Sequence, residues 1–156
     1  SKTAFINSPL GITKIVGDEN GISVISVLAE GEVSKAIPKE LKVAVVQLKE
    51  YFDGKRIDFD FKLNPKGTDF QQKVWQELLN IPFGKTMSYL DLSKKLGDVK
   101  AIRAVASANG KNPLWIVVPC HRVIGTNGSL TGYAGGLWRK KWLLEHESPS
   151  AQQSLF

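Results

Sequence analysis

The sequence predicts a two-lobe chain of the mixed α+β or α/β class. A small amino-terminal lobe of three strands, a helix and one more strand precedes a mostly helical lobe that contains a helix-turn-helix. Three observations predict this. Residues 2–29 hold three β-branched runs separated by turn sequences. Thr68, Ser88 and Asp98 each stand where a side chain can cap a following helical pattern. Asn64-Pro65-Lys66-Gly67, between these regions, reads as a linker. The expected division is residues 1–64, residues 65–147 and a polar tail over 148–156.

The first strands are Ala4-Phe5-Ile6, Ile12 to Val16 and Ile22 to Leu28. Ser8-Pro9-Leu10-Gly11 and Asp18-Glu19-Asn20-Gly21 are the turns between them. Pro38 opens a helix to about Phe52, with Leu41, Val45, Leu48 and Phe52 on one face, and Gly54 ends it. Ile57 to Phe61 alternates and is expected to be one more strand. Asp18, Asp53, Asp58 and Asp60 fit turns and surface better than a metal cluster.

In the second lobe, Thr68 and Gln71 form a capping box for a helix to about Asn80 that buries Phe70, Val74, Leu78 and Trp75. Ser88 caps a short helix with Tyr89, Leu92 and Leu96 on one face, stopped by Gly97. Asp98 caps another, running from about Val99 to Asn109, with Ile102, Val105 and Ala106 facing in. Helix, tight turn and helix is the helix-turn-helix pattern, although most such pairs only pack. The outward face of the second helix presents Arg103, Ser107 and Gly110, flanked by Ala104 and Ala108. That smooth face with one long probe suits the minor groove, about 6 Å wide; it equally suits packing within the protein. A final helix carries Trp138, Trp142 and a basic surface patch, Arg139-Lys140-Lys141.

Composition bounds the function. The net charge of +6 favours an anionic partner, nucleic acid first, though an incidentally basic protein has the same total. No apolar run reaches the roughly 18 residues needed to span a bilayer, so no membrane partner is expected. The opening Ser1-Lys2-Thr3-Ala4-Phe5 lacks the charged-then-apolar order of a signal peptide. One cysteine excludes an internal disulfide and fits a reducing, cytoplasmic setting. One Cys and two His are too few for a usual structural zinc site. Chemistry centres on Ile116-Val117-Val118-Pro119-Cys120-His121-Arg122-Val123. The apolar run ending at Pro119 reads as an interior strand with Cys120 at its end. A lone cysteine there is either a small buried hydrophobe or a nucleophile beside its base.

Taken together, Pro119-Cys120-His121-Arg122-Val123, Asn112-Pro113, Arg103-Ala104-Val105, Ser88-Tyr89, Gly132-Tyr133-Ala134-Gly135-Gly136-Leu137 and Trp142-Leu143-Leu144-Glu145-His146-Glu147 resemble the O-alkylguanine-DNA alkyltransferases of bacterial type, the methylated-DNA–protein-cysteine methyltransferases. The likeness covers nearly all of residues 68–147, in order. The first lobe resembles the family's RNase H-like amino-terminal domain mainly in element order. The resemblance implies DNA repair by direct reversal. An alkyl group would pass irreversibly from the 6-oxygen of guanine, with thymine a second substrate, to Cys120 after base flipping.

It further implies that His121 deprotonates Cys120 through a water, that Glu147 orients His121, and that Asn112 holds the site together. Tyr89 would help rotate the nucleotide and protonate the leaving guanine. Arg103 would replace the extruded base, with Ala104, Ser107, Asn109, Ser88 and Tyr89 along the DNA. Tyr133 would stack on the base, and the backbone around Val123, Ala134 and Gly135 would read its edges. Ala134 departs from the hydroxyl residue that other members often carry. The partner implied is duplex DNA with alkylated guanine, bound by a monomer, without cofactor or metal.

Gln152-Gln153-Ser154-Leu155-Phe156 is similar to the short peptide that docks in bacterial sliding clamps, and short motifs also match by chance. Two rivals remain at this stage. A helix-turn-helix regulator would bind DNA without chemistry. A Cys–His hydrolase would turn over repeatedly and would need an oxyanion hole that the sequence does not reveal.

Overall fold

The computed structural model describes residues 1–125, 128, 133 and 135–148. These fall into two compact units. The first is Ser1–Lys66 with Pro113–Val117, and the second is Gly67–Asn112 with the described residues from Val118 onward. The break between them falls between Lys66 and Gly67, and the first unit also takes back a five-residue stretch from the middle of the second.

In the first unit, β1 (Lys2–Ser8), β2 (Gly11–Asp18) and β3 (Gly21–Leu28) form an antiparallel sheet in sequence order. Alternation decides its buried face: Ala4 opposes Ile15, Ile15 opposes Ile25, and all three are buried. Gly11 makes the first hairpin turn feasible. Its φ is +128°, and a Cβ there would lie 2.5 Å from the Leu28 carbonyl oxygen. A short 3₁₀ turn, Lys39–Leu41, leads into α1 (Lys42–Phe52). Helix α1 buries Ala44, Val45, Leu48 and Tyr51.

Ile57 to Phe61 is not a strand. Its alternation is real, with Phe59 and Phe61 half-buried and Asp58 and Asp60 exposed, but no ladder forms. Gln47 of α1 accepts the Asp60 backbone N–H and donates to its carboxylate, so a side chain occupies the backbone group that a neighbouring strand would need. The free edge of β3 is covered by other segments. Ile22 exchanges bonds with Lys62 and Asn64, and Ile25 with Pro113 and Trp115. Pairing of this kind closes an edge that would otherwise recruit another chain.

In the second unit, α2 (Asp69–Leu78) begins with the expected capping box. The Thr68 hydroxyl accepts the Gln71 N–H at 3.1 Å, and the Gln71 side chain accepts the Thr68 N–H at 2.9 Å. Val74, Trp75 and Leu78 are buried, whereas Phe70, in the first turn, is 39% exposed. The Trp75 indole instead secures the helix, donating to the Ala108 carbonyl at 2.9 Å. A two-residue β4 (Met87–Ser88) leads into α3 (Tyr89–Lys95), where Ser88 accepts the Asp91 N–H at 3.0 Å. Gly97, at φ +87°, ends this turn in the left-handed conformation. Asp98 caps a 3₁₀ turn, Val99–Ala101, that feeds α4 (Ile102–Gly110). Helices α2 and α3 both pack against α4. Strand β5 (Val123–Ile124) pairs with β4 in parallel, and α5 (Leu137–His146) closes the described part. Among the described residues no helix is long and apolar enough to cross a membrane.

Replacing Thr68 by Ala removes one arm of the capping box and should lower stability by about 1 kcal/mol. Urea unfolding should register that loss, and Thr68→Ser should not show it.

Candidate active site

The run before Cys120 is buried as expected, but it turns instead of forming a strand. Val117 N–H bonds the Trp115 carbonyl at 2.9 Å around Ile116, whose φ is +72°. A β-branched residue there is strained, on the order of 1–3 kcal/mol. Cys120 N–H then bonds the Val118 carbonyl at 2.8 Å around Pro119, at φ −81° and ψ 64°. That is an inverse γ-turn, for which proline's fixed φ is suited. Cys120 therefore opens a short 3₁₀ turn, Cys120–Arg122, instead of ending a strand. All three of its side chains are buried.

The Glu147 carboxylate, just beyond α5, gathers the turn. His121 Nε2 lies 2.8 Å from Oε2. Arg122 donates through Nε to Oε1 at 2.7 Å and through Nη2 to Oε2 at 3.1 Å. Its Nη1 donates to the Ile81 carbonyl at 2.7 Å. Burial pushes the Glu147 carboxyl up, but the bonds and charges of His121 and Arg122 outweigh it and hold the group down at about 2. The carboxylate is thus an acceptor only, and the His121 nitrogen facing it must carry the hydrogen. The other nitrogen, Nδ1, is then a lone pair, buried and without a partner among the described residues. Burial lowers the imidazole below its ordinary value despite Glu147, so the ring is neutral at neutral pH.

Cys120 is raised by burial. Asn112, Lys140 and Tyr133 each act in the opposite direction, Lys140 through its charge and the other two through hydrogen bonds. Asn112 also donates to the Val118 carbonyl at 2.7 Å, tying the end of α4's connection to the turn before the thiol.

Lys140 corrects the sequence reading. It is no part of a surface patch: its side chain is fully buried. Nζ donates to the Val123 carbonyl at 2.7 Å and lies 6.0 Å from the ring centres of both Tyr89 and Tyr133. Burial lowers its ammonium and Cys120 opposes this. Sequence reasoning missed Lys140 because its neighbours Arg139 and Lys141 disguise it. Its four-residue spacing from Gly136 and three-residue spacing to Leu143 put it on the inner face of α5. Arg122 likewise carries no signal of its own in the sequence beyond its place in the Pro119–Val123 motif.

On α4, Arg103, Ala104, Ser107 and Gly110 are exposed together. Ala108 and Asn109 turn inward, because α2 and the Cys120 turn pack on that side. Asn109, which the resemblance implies along the DNA, therefore does not share the exposed face of Arg103 and Ser107. Ser88 is half-buried, its hydroxyl engaged as the α3 cap. Tyr133 and Gly135 adjoin the start of α5, where the Gly135 carbonyl accepts from Arg139 at 2.6 Å. Ala134 and the tail residues Gln152, Ser154, Leu155 and Phe156 lie outside the described residues.

Comparison with known proteins bears on the whole chain. A family described as 6-O-methylguanine DNA methyltransferase, ribonuclease-like domain, matches residues 2–65. One described as 6-O-methylguanine DNA methyltransferase, DNA binding domain, matches residues 69–149. The methylated-DNA–protein-cysteine methyltransferase of Methanosarcina acetivorans is 44% identical over 151 residues, 92% of this chain and 96% of the relative. That of Mycobacterium tuberculosis is 44% identical over 155 residues, 96% and 94%. The crystal structure of Mycobacterium tuberculosis OGT in complex with DNA is similar at a TM-score of 0.85 and 44% identity, covering 99% of this chain and 98% of that one. An O6-methylguanine DNA methyltransferase from Methanococcus jannaschii gives 0.69 at 30% identity, with 93% of each chain covered. The resemblance read from the motifs is borne out, and the chain belongs to the methylated-DNA–protein-cysteine methyltransferase family.

Proposed function

We propose that this protein repairs O-alkylated guanine, and thymine, in duplex DNA by one irreversible transfer of the alkyl group to Cys120. The observation that carries this reading is the sole thiol adjoining a neutral, buried His121 whose Nε2 is committed to Glu147 and whose Nδ1 is not.

In the proposed step, His121 Nδ1 takes the Cys120 proton through a water. The thiolate attacks the alkyl carbon, a carbon–sulfur bond forms, and the carbon–oxygen bond breaks with its electron pair going to the base. Tyr89 gives a proton to the departing guanine. A thioether has no easy leaving group, so each chain acts once. Lys140 supplies positive charge near the developing thiolate, where low dielectric makes it count. Asn112 donates a hydrogen bond to the sulfur.

For access to the base, Arg103 enters the stack from a face of small residues, Ala104, Ser107 and Gly110, and offsets part of the few kcal/mol that flipping costs. Ser88 and Tyr89 line the DNA side of α3. Tyr133 stacks on the extruded base while the backbone at Val123, Ala134 and Gly135 reads its edges. The bond from Lys140 to the Val123 carbonyl fixes one of those backbone groups in place. The carboxy-terminal Gln152, Ser154, Leu155 and Phe156 form a docking peptide for a bacterial sliding clamp, and the protein works as a cytoplasmic monomer.

Intact mass after mixing with an O6-methylguanine duplex should rise by one methyl group per chain, and Cys120→Ser should gain none. Repeated turnover with an unmodified thiol would instead favour a hydrolase. Lys140→Met should move the thiolate absorbance of the single cysteine to higher pH, because the opposing charge is gone while the burial remains.

Acid stability follows from the same cluster. Glu147 is depressed on folding, so its contribution is complete above its ordinary value near 4.5 and lost as pH falls toward about 2. His121 is depressed too, so its contribution fades below about 6.5. Calorimetry should show the melting midpoint falling through both ranges. Glu147→Gln should cost on the order of 3 kcal/mol at neutral pH, a deficit that shrinks below pH 4.5 as the parent carboxyl takes up its proton.

A further inference from the structure

Asn109 sits where a DNA contact was expected, yet it is only 3% exposed. Its Nδ2 lies 3.4 Å from the Tyr89 hydroxyl oxygen and 3.4 Å from the Cys120 carbonyl oxygen. The carbonyl can only accept, so the amide must face it with its NH₂ group and not with its oxygen. This fixes which way round the amide lies. One of the two amide hydrogens serves Cys120, and the other falls to the Tyr89 oxygen. Tyr89 therefore accepts from Asn109, and its own hydrogen points away from Asn109. The amide oxygen is buried with no partner among the described residues. A buried acceptor left unmatched is costly, and an apolar side chain would fill the space without that cost. The amide's two donors are what such a side chain could not supply.

We propose that Asn109 is a positioning residue for alkyl transfer: anchored on the Cys120 carbonyl, it donates to the Tyr89 oxygen and so turns the Tyr89 hydroxyl hydrogen toward the departing base. The N–H given to the phenol also stabilises the phenolate left after proton transfer. This rests on the reading of Tyr89 as the proton donor. It also ties the nucleophile's own backbone to the group that receives the leaving base, so that both are set by one amide.

The test is a double-mutant cycle on single-turnover methyl transfer, with the rate constant at saturating duplex separated from duplex affinity. Asn109→Ala should slow the rate constant about tenfold, a fraction of what general acid catalysis supplies, and change affinity less than about twofold. In a Tyr89→Phe background the same change should alter the rate less than about twofold, because the hydroxyl it orients is gone. Asn109→Asp keeps the shape but offers Tyr89 only an acceptor, and it should be slower than Asn109→Ala with a partial recovery on acidification. Melting curves establish that each variant is folded. An undiminished loss in the Tyr89→Phe background, or a loss confined to affinity, would overturn the proposal. A Tyr89→Phe protein as fast as the parent would overturn the reading of Tyr89 itself and take Asn109 with it.

Discussion

The second unit depends on one buried carboxylate shared between a neutral imidazole and a guanidinium. Glu147 accepts from His121 and, through two bonds, from Arg122, and Arg122 reaches on to the Ile81 carbonyl. A carboxylate in low dielectric is expensive unless every lone pair is matched. Here the guanidinium matches both oxygens in the fork geometry that a lysine could not reproduce. The consequence is chemical as well as structural. Because its bonds to His121 and Arg122 keep Glu147 ionised, Glu147 dictates the tautomer of His121, and the tautomer decides which nitrogen is left to accept a proton. A structural ion pair thus sets the polarity of the imidazole next in sequence to the thiol.

Much of this was legible in the sequence, and the legible parts share a cause. The capping box at Thr68, the caps at Ser88 and Asp98 and the stop at Gly97 are local, so the residues that make them lie within a few positions of one another. The same holds for the alternation that places Ala4, Ile15 and Ile25 on one face of the sheet. Arg103 stood out by its helical spacing and Cys120 by its place after the apolar run, whereas the pairing of His121 with Glu147 was legible only through motif likeness. His121 and Glu147 are 26 residues apart, and no periodicity predicts their bond.

The misreadings share the opposite cause. Ile57 to Phe61 has the right alternation, but a strand needs a partner, and Gln47 takes the backbone group first. Ile116 to Val118 has the right hydrophobicity, but burial alone cannot distinguish a strand from two tight turns, and a positive φ at an isoleucine is against every local preference. Lys140 looks like part of a charged surface because Lys is rarely buried unpaired. It meets a carbonyl from β5 and two tyrosine rings, and two of these three, Val123 and Tyr89, are far from it in sequence. Asn109 is a DNA contact by the resemblance alone, and the packing of α4 turns it inward beside Ala108.

Two of these departures, Lys140 and Asn109, lie beside Cys120, and they bear on how a buried cysteine could serve as a reagent. Burial keeps Cys120 protonated and raises it above its ordinary value, which shields the one sulfur from stray electrophiles. The same burial strips water from the anion once formed, and a desolvated thiolate at high intrinsic basicity is the stronger nucleophile. In the proposed transfer the cost of forming it would be met locally, by the neutral His121, by the ammonium of Lys140 and by donors such as Asn112. A protein that turns over many times needs a nucleophile it can release as readily as it forms. A protein that reacts once does not, and it can place its sulfur where the bond formed is hard to undo.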